Sequence, residues 1–263
     1  MRIVKTLLKI VLGLVLVIVV VVVAAVISVR SNVPATDFGV AAPLAAIQDP
    51  RPVLVYGGTR KTGYEVVKLL RARGQAVTVA VRPSSDRSQV APLGVDFVVA
   101  DAMNVDAVNQ AIVGSDYQAI ISTFGCFSCE PPPDFLGNKH IIDAAKTNNG
   151  PRIILITSIG SGDSAEHTNL LTKVALRKIL PLKTQAEDYL RDSGLDYTII
   201  RPGGLMTEDI SPTAHTGLLY DDATAFGFIH RSDLAGLIVA ALDDQRAIGK
   251  TLAAIDPAAD TPF

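Results

Sequence analysis

The chain has 263 residues and a formal net charge of −2, with 24 Lys and Arg set against 26 Asp and Glu. That balance excludes the basic signature of a nucleic-acid-binding surface. Its two cysteines are too few to complete a tetrahedral structural zinc site, and its 49% hydrophobic content is raised by one apolar run at the N-terminus.

That run, Ile10 to Val29, is twenty residues without a charge, flanked by Lys9 and Arg30. At ~1.5 Å per residue it spans roughly 30 Å, the hydrocarbon thickness of a bilayer. It is uniformly apolar, unlike the one-sided stripe of a core helix. It also exceeds the ~7–15 residues of a signal-peptide apolar region. The expectation is an uncleaved single-pass anchor over residues 1–30, with the lipid bilayer as its partner. A cleavable signal is the rival, since Val23-Ala-Ala25 and Val26-Ile-Ser28 loosely resemble cleavage sites. Arg2, Lys5 and Lys9 precede the run and Arg30 follows it, a bias that sends the folded part to the far side. A domain whose ligands are mainly intracellular would be pulled instead toward the cytoplasmic face. The cytoplasmic face is the side favoured here. Residues 31–50, rich in Ala and Pro, read as a tether. Residues 51–263 suit one α/β domain, and ~215 residues are enough for a full core.

The domain begins with Val53-Leu-Val-Tyr56, a short apolar strand. It enters the turn Gly57-Gly-Thr-Arg-Lys-Thr-Gly63, and a helix carrying Val66, Val67, Leu69 and Leu70 on one face leaves toward Gly74. Strand, glycine turn and helix together place a nucleotide diphosphate over a helix N-terminus, where free N–H groups and the dipole face an anion. Gly57 is expected to make the tight turn, Gly58 to allow close backbone approach, and Gly63 to let helix and strand pack. Three glycines in seven residues also fit a plain surface turn.

The second strand, Ala76 to Arg82, ends without the acidic residue that an NAD-selective site places on the ribose 2′-hydroxyl. Arg82, Ser84, Ser85 and Arg87 stand there instead, with Arg60 and Lys61 in the first turn. Arginine with hydroxyls suits a 2′-phosphate, so NADP(H) is expected over NAD(H). The third strand, Asp96 to Ala100, leads to Asp101 and Ala102, where Asp101 could cap a helix starting near Asn104. Ala119 to Gly125 reads as the fourth strand and its cofactor-facing end, Thr123, Phe124 and Gly125. Cys126 and Cys129 follow in the next loop. They read as two small loop residues before Pro131-Pro-Pro133, as a dithiol or disulfide, or as a reactive thiol beside a flavin or quinone. A helix from Phe135 to Lys146, a buried strand from Arg152 to Ser158 and a sixth strand within Leu195 to Leu205 complete an alternating pattern. This alternation predicts a Rossmann-type doubly wound parallel sheet.

From about Arg51 to Pro257 the order of motifs resembles the short-chain dehydrogenase/reductase superfamily. Within it, the likeness is to the atypical NAD(P)-binding group that includes NmrA-like and biliverdin-reductase-B-like proteins. That group's turn carries a further glycine where this chain has Arg60. The resemblance implies that Asp101-Ala102 lies beside the adenine. It also implies that Arg201-Pro202-Gly-Gly204 passes the nicotinamide, and that Phe228 to Leu242 forms the helix after it. The family's usual proton relay is Tyr-x-x-x-Lys with a Ser or Thr ending the fifth strand. Lys183 matches the lysine and is expected on the cofactor ribose, but Ile179 stands at the tyrosine position. Tyr189 lies six residues beyond Lys183 and should point elsewhere. Ser158 is the nearest hydroxyl, although Ile159 can occupy the active serine position. Tyr220, His215 and His230 are substitutes the fold could bring in, each more often structural, and His230 is expected to open a helix. Gly162 to Leu182 with Met206 to Phe226 is expected to form a substrate cap. The dinucleotide set is therefore Gly57, Gly58, Thr59, Arg60, Lys61, Thr62, Gly63, Arg82, Asp101, Ala102, Thr123, Phe124, Gly125, Lys183 and Pro202, with Lys183 and Ser158 as candidate catalytic residues. The implied activity is hydride transfer between NADPH and a small carbonyl, quinone or flavin-like acceptor. The rival is a non-catalytic dinucleotide-binding redox sensor or assembly factor at a membrane complex. An isomerase or epimerase of this fold would need the missing tyrosine.

Overall fold

A computed structural model of the protein describes residues 11–17, 31–39, 47, 49–147, 150–206 and 216–259. The expected anchor, Ile10 to Val29, lies mostly outside these residues; 11–17 are helical. Among the described residues no helix is long and apolar enough to cross a membrane.

Eight strands form one sheet in the order β3-β2-β1-β4-β5-β6-β10-β8. The central members are short and rich in β-branched residues: β1 (Val53–Tyr56), β2 (Val77–Val81), β4 (Ala119–Ser122), β5 (Arg152–Ile156) and β6 (Tyr197–Pro202). They are buried along nearly their whole length, the state that continuous apolar runs are suited to. β3 (Asp96–Val99) lies outside β2, and β10 (Lys250–Ile255) follows β6. All these pairings are parallel; Val53, for example, faces Val77 on one side and Ala119 on the other. The order reverses between β1 and β4, and at that reversal a crevice opens at the carboxyl ends of the strands.

Helices cover both faces. On one, α1 (Lys61–Ala72) and the long apolar α6 (Arg231–Asp243) bury Val66, Val67, Leu70, Leu234 and Ile238 against β1, β2 and β6. On the other, α2 (Val105–Ile112), α3 (Leu136–Lys146) and α5 (Leu180–Arg191) bury Val108, Ile141, Ile142, Ala186 and Leu190. The sheet is thus doubly wound and Rossmann-like. Local chemistry sets the helix ends. Asn104 caps α2 through its side chain, accepting from the Ala107 N–H at 3.0 Å. Gly74 adopts φ +87 just past α1, the left-handed position that glycine takes without strain.

Three expectations are corrected. Asp101 does not cap α2; its carboxylate accepts from the Met103 N–H at 3.0 Å and shapes the turn before Asn104. Phe228 and Ile229 are not helical but form β9, which pairs with β7 (Gly204–Leu205), because the Gly203 and Gly227 backbones approach too closely for any side chain between them. Within the expected cap, Leu218–Tyr220 is β8, an edge strand antiparallel to β10, so Tyr220 is buried in the core. Residues 207–215, including His215, lie outside the described residues.

The two helices on the first face are tied by Arg73, whose guanidinium pairs with Asp243; their side chains are only 9% and 4% exposed. Removing one member of a buried pair strands the other charge, a loss of about 3 kcal/mol. Arg73→Ala should therefore lower the unfolding free energy of the full chain by about that amount, measured by urea denaturation. An unchanged midpoint would show that the pair contributes no net stability.

Candidate functional site

The glycine turn brings the carboxyl ends of β1 and β4 as close as backbones allow. Gly57 has φ +80, and a Cβ there would sit 2.7 Å from Thr123 Oγ1 and 3.0 Å from the Phe124 amide nitrogen. A Cβ on Gly63 would lie 2.6 Å from Thr123 Oγ1 and closer still to the Gly57 carbonyl oxygen. Thr123 reciprocates by donating both its amide and its hydroxyl to the Tyr56 carbonyl, at 3.1 and 3.0 Å. Gly58 does something else. Its missing Cβ points at Val79, Val67 and Val55 in the core, and it does not line the crevice, so its expected close approach to the cofactor becomes a packing role.

The N-terminus of α1 has no side-chain cap and no acidic residue in its first turn. Its first N–H groups therefore have no capping partner within the helix, which is the usual state of an anion site. Arg60 is extended there, and Lys61 takes φ +53, the one described non-glycine residue in the left-handed region. Such a conformation costs of order 1–3 kcal/mol and persists where surrounding structure imposes it, often at ligand clamps. Glycine cradle, uncapped amides and flanking cations together fit a pyrophosphate.

From this turn a single cleft of about 910 Å³ runs across the carboxyl ends of the strands. At one end it is lined by Arg60, Arg82, Ser85, Asp101 and Ala102. Ser85 Oγ accepts from the Arg82 amide at 3.0 Å, which fixes the loop after β2. Arg87 is turned away, stacked over the Phe97 ring at 5.2 Å, and neither it nor Ser84 lines the cleft. Arg82 and Arg60 are therefore the guanidinium groups at this end. The middle is formed by Thr59, Lys61, Thr62 and the β4 end, Thr123, Phe124 and Gly125. The far end contains Ser158, Ile159, Ile179, Lys183 and Pro202, followed by an apolar chamber with Leu171, Leu176, Leu180, Phe226 and Phe228.

The far end is organised by a residue that the sequence did not single out. Asp134 is fully buried, and its Oδ1 lies 3.0 Å from Lys183 Nζ. Its Oδ2 accepts from the Cys126 N–H at 3.3 Å, and its backbone carbonyl accepts from Asn138 Nδ2 at 2.6 Å. Asn138 Oδ1 in turn receives the Ser122 hydroxyl at 2.6 Å. This chain runs from β4 through α3 to α5 and fixes the Lys183 ammonium beside Gly125, leaving its other N–H donors available. The local clue was an Asp just before a predicted helix, but its ionic partner is far away in sequence.

The other candidates separate clearly. Ser158 donates its hydroxyl to the Ile159 carbonyl at 3.0 Å. Ile179 is buried in the cleft wall, so the side chain four residues before Lys183 is aliphatic. Tyr189 points away and donates to Asp143 at 2.6 Å. His230 immediately precedes α6 and does not line the cleft. Tyr56 does line it beneath Phe124, and burial holds its phenol well above the ordinary tyrosine range. Cys126 and Cys129 are joined in a disulfide with Cα atoms 5.4 Å apart, and both line the cleft beside Phe127.

Below the chamber, Glu187 is fully buried and accepts from Thr157 Oγ1 at 2.6 Å and from Arg201 at 3.0 and 2.7 Å. Arg201 also pairs with Asp163. Burial opposes ionisation of Asp163, but its bond to Arg201 outweighs this and holds the carboxyl below the usual range. The network pins the Ser161–Asp163 loop to β6 and α5.

Comparison with known proteins agrees with this geometry. Residues 57–245 match the family described as NAD(P)H-binding. An uncharacterized chloroplastic protein of Arabidopsis thaliana is 30% identical over 203 residues, covering 73% of this chain and 72% of that protein. Sanguinarine reductase of Eschscholzia californica is 37% identical over 120 residues, covering 44% of this chain and 42% of that enzyme. Among solved structures, an anaerobillin reductase of Escherichia coli superimposes with a TM-score of 0.71 at 29% identity, covering 80% of this chain and 99% of that one. With its glycine cradle, uncapped helix and doubly wound sheet, the chain belongs to the NAD(P)H-binding family.

Proposed function

We propose that the protein is a membrane-anchored oxidoreductase that uses NADPH to reduce a conjugated acceptor of quinone or flavin type. The observation that carries this reading is the continuity of the cleft: a cradle suited to pyrophosphate opens directly into an apolar chamber. NADPH, when bound, supplies the hydride. In this reading the uncapped amides of α1 hold the pyrophosphate, and Arg82 with Arg60 meets the 2′-phosphate. Lys183, steadied by Asp134, donates to the ribose. Phe226, Phe228 and Leu176 exclude water from the reacting face. Two relatives are themselves named as reductases, which supports the class of activity. The anchor rests on the uncharged run from Ile10 to Val29, and cytoplasmic placement rests on where pyridine nucleotides are abundant.

The missing phenol narrows the acceptor. Reducing an isolated carbonyl builds an alkoxide that needs a proton donor, whereas a quinone or flavin spreads the incoming charge and can take its proton from water. With Ile179 in the wall and Ser158 bonded to the neighbouring carbonyl, the second class fits better. The same missing phenol supports a second reading, a dinucleotide sensor that binds without turnover. Steady NADPH oxidation by the full chain with a panel of quinones, flavins and simple aldehydes separates the two. Turnover confined to quinones or flavins supports the enzyme, and saturable NADPH binding with no turnover supports the sensor.

Two substitutions test the assignments. Arg82→Ala should weaken NADPH about 10-fold or more, the value of a charge-assisted bond, while leaving NADH nearly unchanged; equal losses would remove Arg82 from the 2′-phosphate. Lys183→Met should weaken the dinucleotide and also destabilise the fold by about 3 kcal/mol, because it leaves the Asp134 carboxylate buried alone. Adding Asp134→Asn should restore stability but not affinity. Calorimetric titration and urea denaturation of the three variants decide this, and recovery of both properties together would make Lys183 purely structural.

A further inference from the structure

The cleft has one feature that its chemistry does not need: large apolar side chains left in solvent around its apolar chamber. Phe127, Leu171 and Leu205 line the cleft and are 71%, 55% and 41% exposed. Leu171 belongs to α4 (Leu170–Ala175), whose Leu170 and Val174 are 74% and 54% exposed and do not line the cleft. Around them stand Lys173, Arg177 and Lys178, all exposed, and there is no Asp or Glu between His167 and Leu182. Exposed apolar residues with uncompensated cations beside them are the composition of a segment that rests in a lipid headgroup layer.

A second observation fixes where such a layer would be. Asn32 is bonded to Phe226, which lines the same chamber, through paired backbone bonds of 2.6 and 2.9 Å. Its side-chain amide donates to the Thr224 carbonyl at 2.6 Å. Val29, the last residue of the apolar run, is three residues earlier, and three residues reach at most roughly 10 Å. The end of the run is therefore leashed to the rim of the chamber.

We propose that the chamber mouth, carried by α4, the Phe127 loop and the Phe226–Phe228 segment, lies against the bilayer that receives the N-terminal run, so that an acceptor dissolved in lipid enters the cleft directly. This rests on the anchored-oxidoreductase reading above. A bilayer is the occupant rather than a second copy or a soluble protein because the leash holds the rim within reach of lipid in every molecule, and because the flanking cations suit anionic headgroups.

The chain contains no tryptophan, so Leu170→Trp in the full chain supplies a unique reporter. Val113→Trp, exposed at the end of α2 and away from the cleft, supplies the control. In vesicles of phosphatidylcholine and phosphatidylglycerol with brominated acyl chains, fluorescence at position 170 should fall several-fold, while position 113 is unaffected. Raising the phosphatidylglycerol fraction should deepen the quenching. A chain that does not float with vesicles overturns the anchor and this docking with it. A chain that floats with position 170 unquenched overturns the docking alone, and a blue shift there without quenching would assign the face to a second copy. For acceptor entry, Leu170→Glu with Val174→Glu should slow NADPH oxidation by a long-tailed quinone in vesicles at least tenfold and spare its tail-less analogue. Equal slowing of both, or of neither, overturns entry from lipid. Absence of turnover with either quinone in the unmutated chain overturns the oxidoreductase reading and acceptor entry, leaving the docking to the fluorescence result.

Discussion

The molecule depends on one steric constraint, the contact of the Gly57–Gly63 turn with Thr123. Three backbone segments meet there with no room for a single Cβ. Because the sheet is parallel apart from the edge strand β8, its other strands deliver their carboxyl ends to the same side, and the order reversal between β1 and β4 leaves those ends uncovered by a crossover. The close approach places the start of α1 at the floor of that crevice, so the unpaired amides that end every helix become a directed feature. A bulkier turn would push α1 outward and also disturb its packing against α6, where much of the core on that face is buried.

Around this fixed floor the site is built from charges whose burial is compensated. Lys183 and Asp134 are both removed from bulk water, and neither would be stable there alone. The hydrogen bonds from Cys126 and Asn138 hold the Asp134 segment in place, so α3, α5 and the loop after β4 are tied together. Glu187, Arg201 and Asp163 do the same beneath the chamber. Ionic groups here contribute positional specificity more than net stability, which suits a site whose other walls are aliphatic.

The sequence was most legible where one segment contained both the signal and its partner. Val53 to Gly74 shows strand, turn, helix and stop within about twenty residues, and strands of Val and Ile buried on both faces announce themselves without reference to the rest of the chain. It was least legible where the deciding contact is distant. Asp134 matters because Lys183 approaches it from another helix. Arg87 left the cleft because Phe97 offers it a ring, and Gly58 faces Val79 and Val67 rather than a ligand. The β8 strand was missed because three residues, Leu218–Tyr220, carry no periodicity; they are a strand only because β10 presents a free edge. Similarly, Phe228-Ile229 continues an apolar helical pattern, but the contact between Gly203 and Gly227 holds it extended.

The residue at position 179 links these points. In a helix starting at Leu180 with Pro181 in its first turn, Ile179 closes the helix end against the chamber, and its side chain is 3% exposed. An aliphatic group there continues the apolar wall formed by Leu176 and Leu180. Lys183, one turn later, has its charge balanced by Asp134. In the proposed reaction such an apolar wall suits acceptors that are themselves apolar and that accept a hydride before they need a proton.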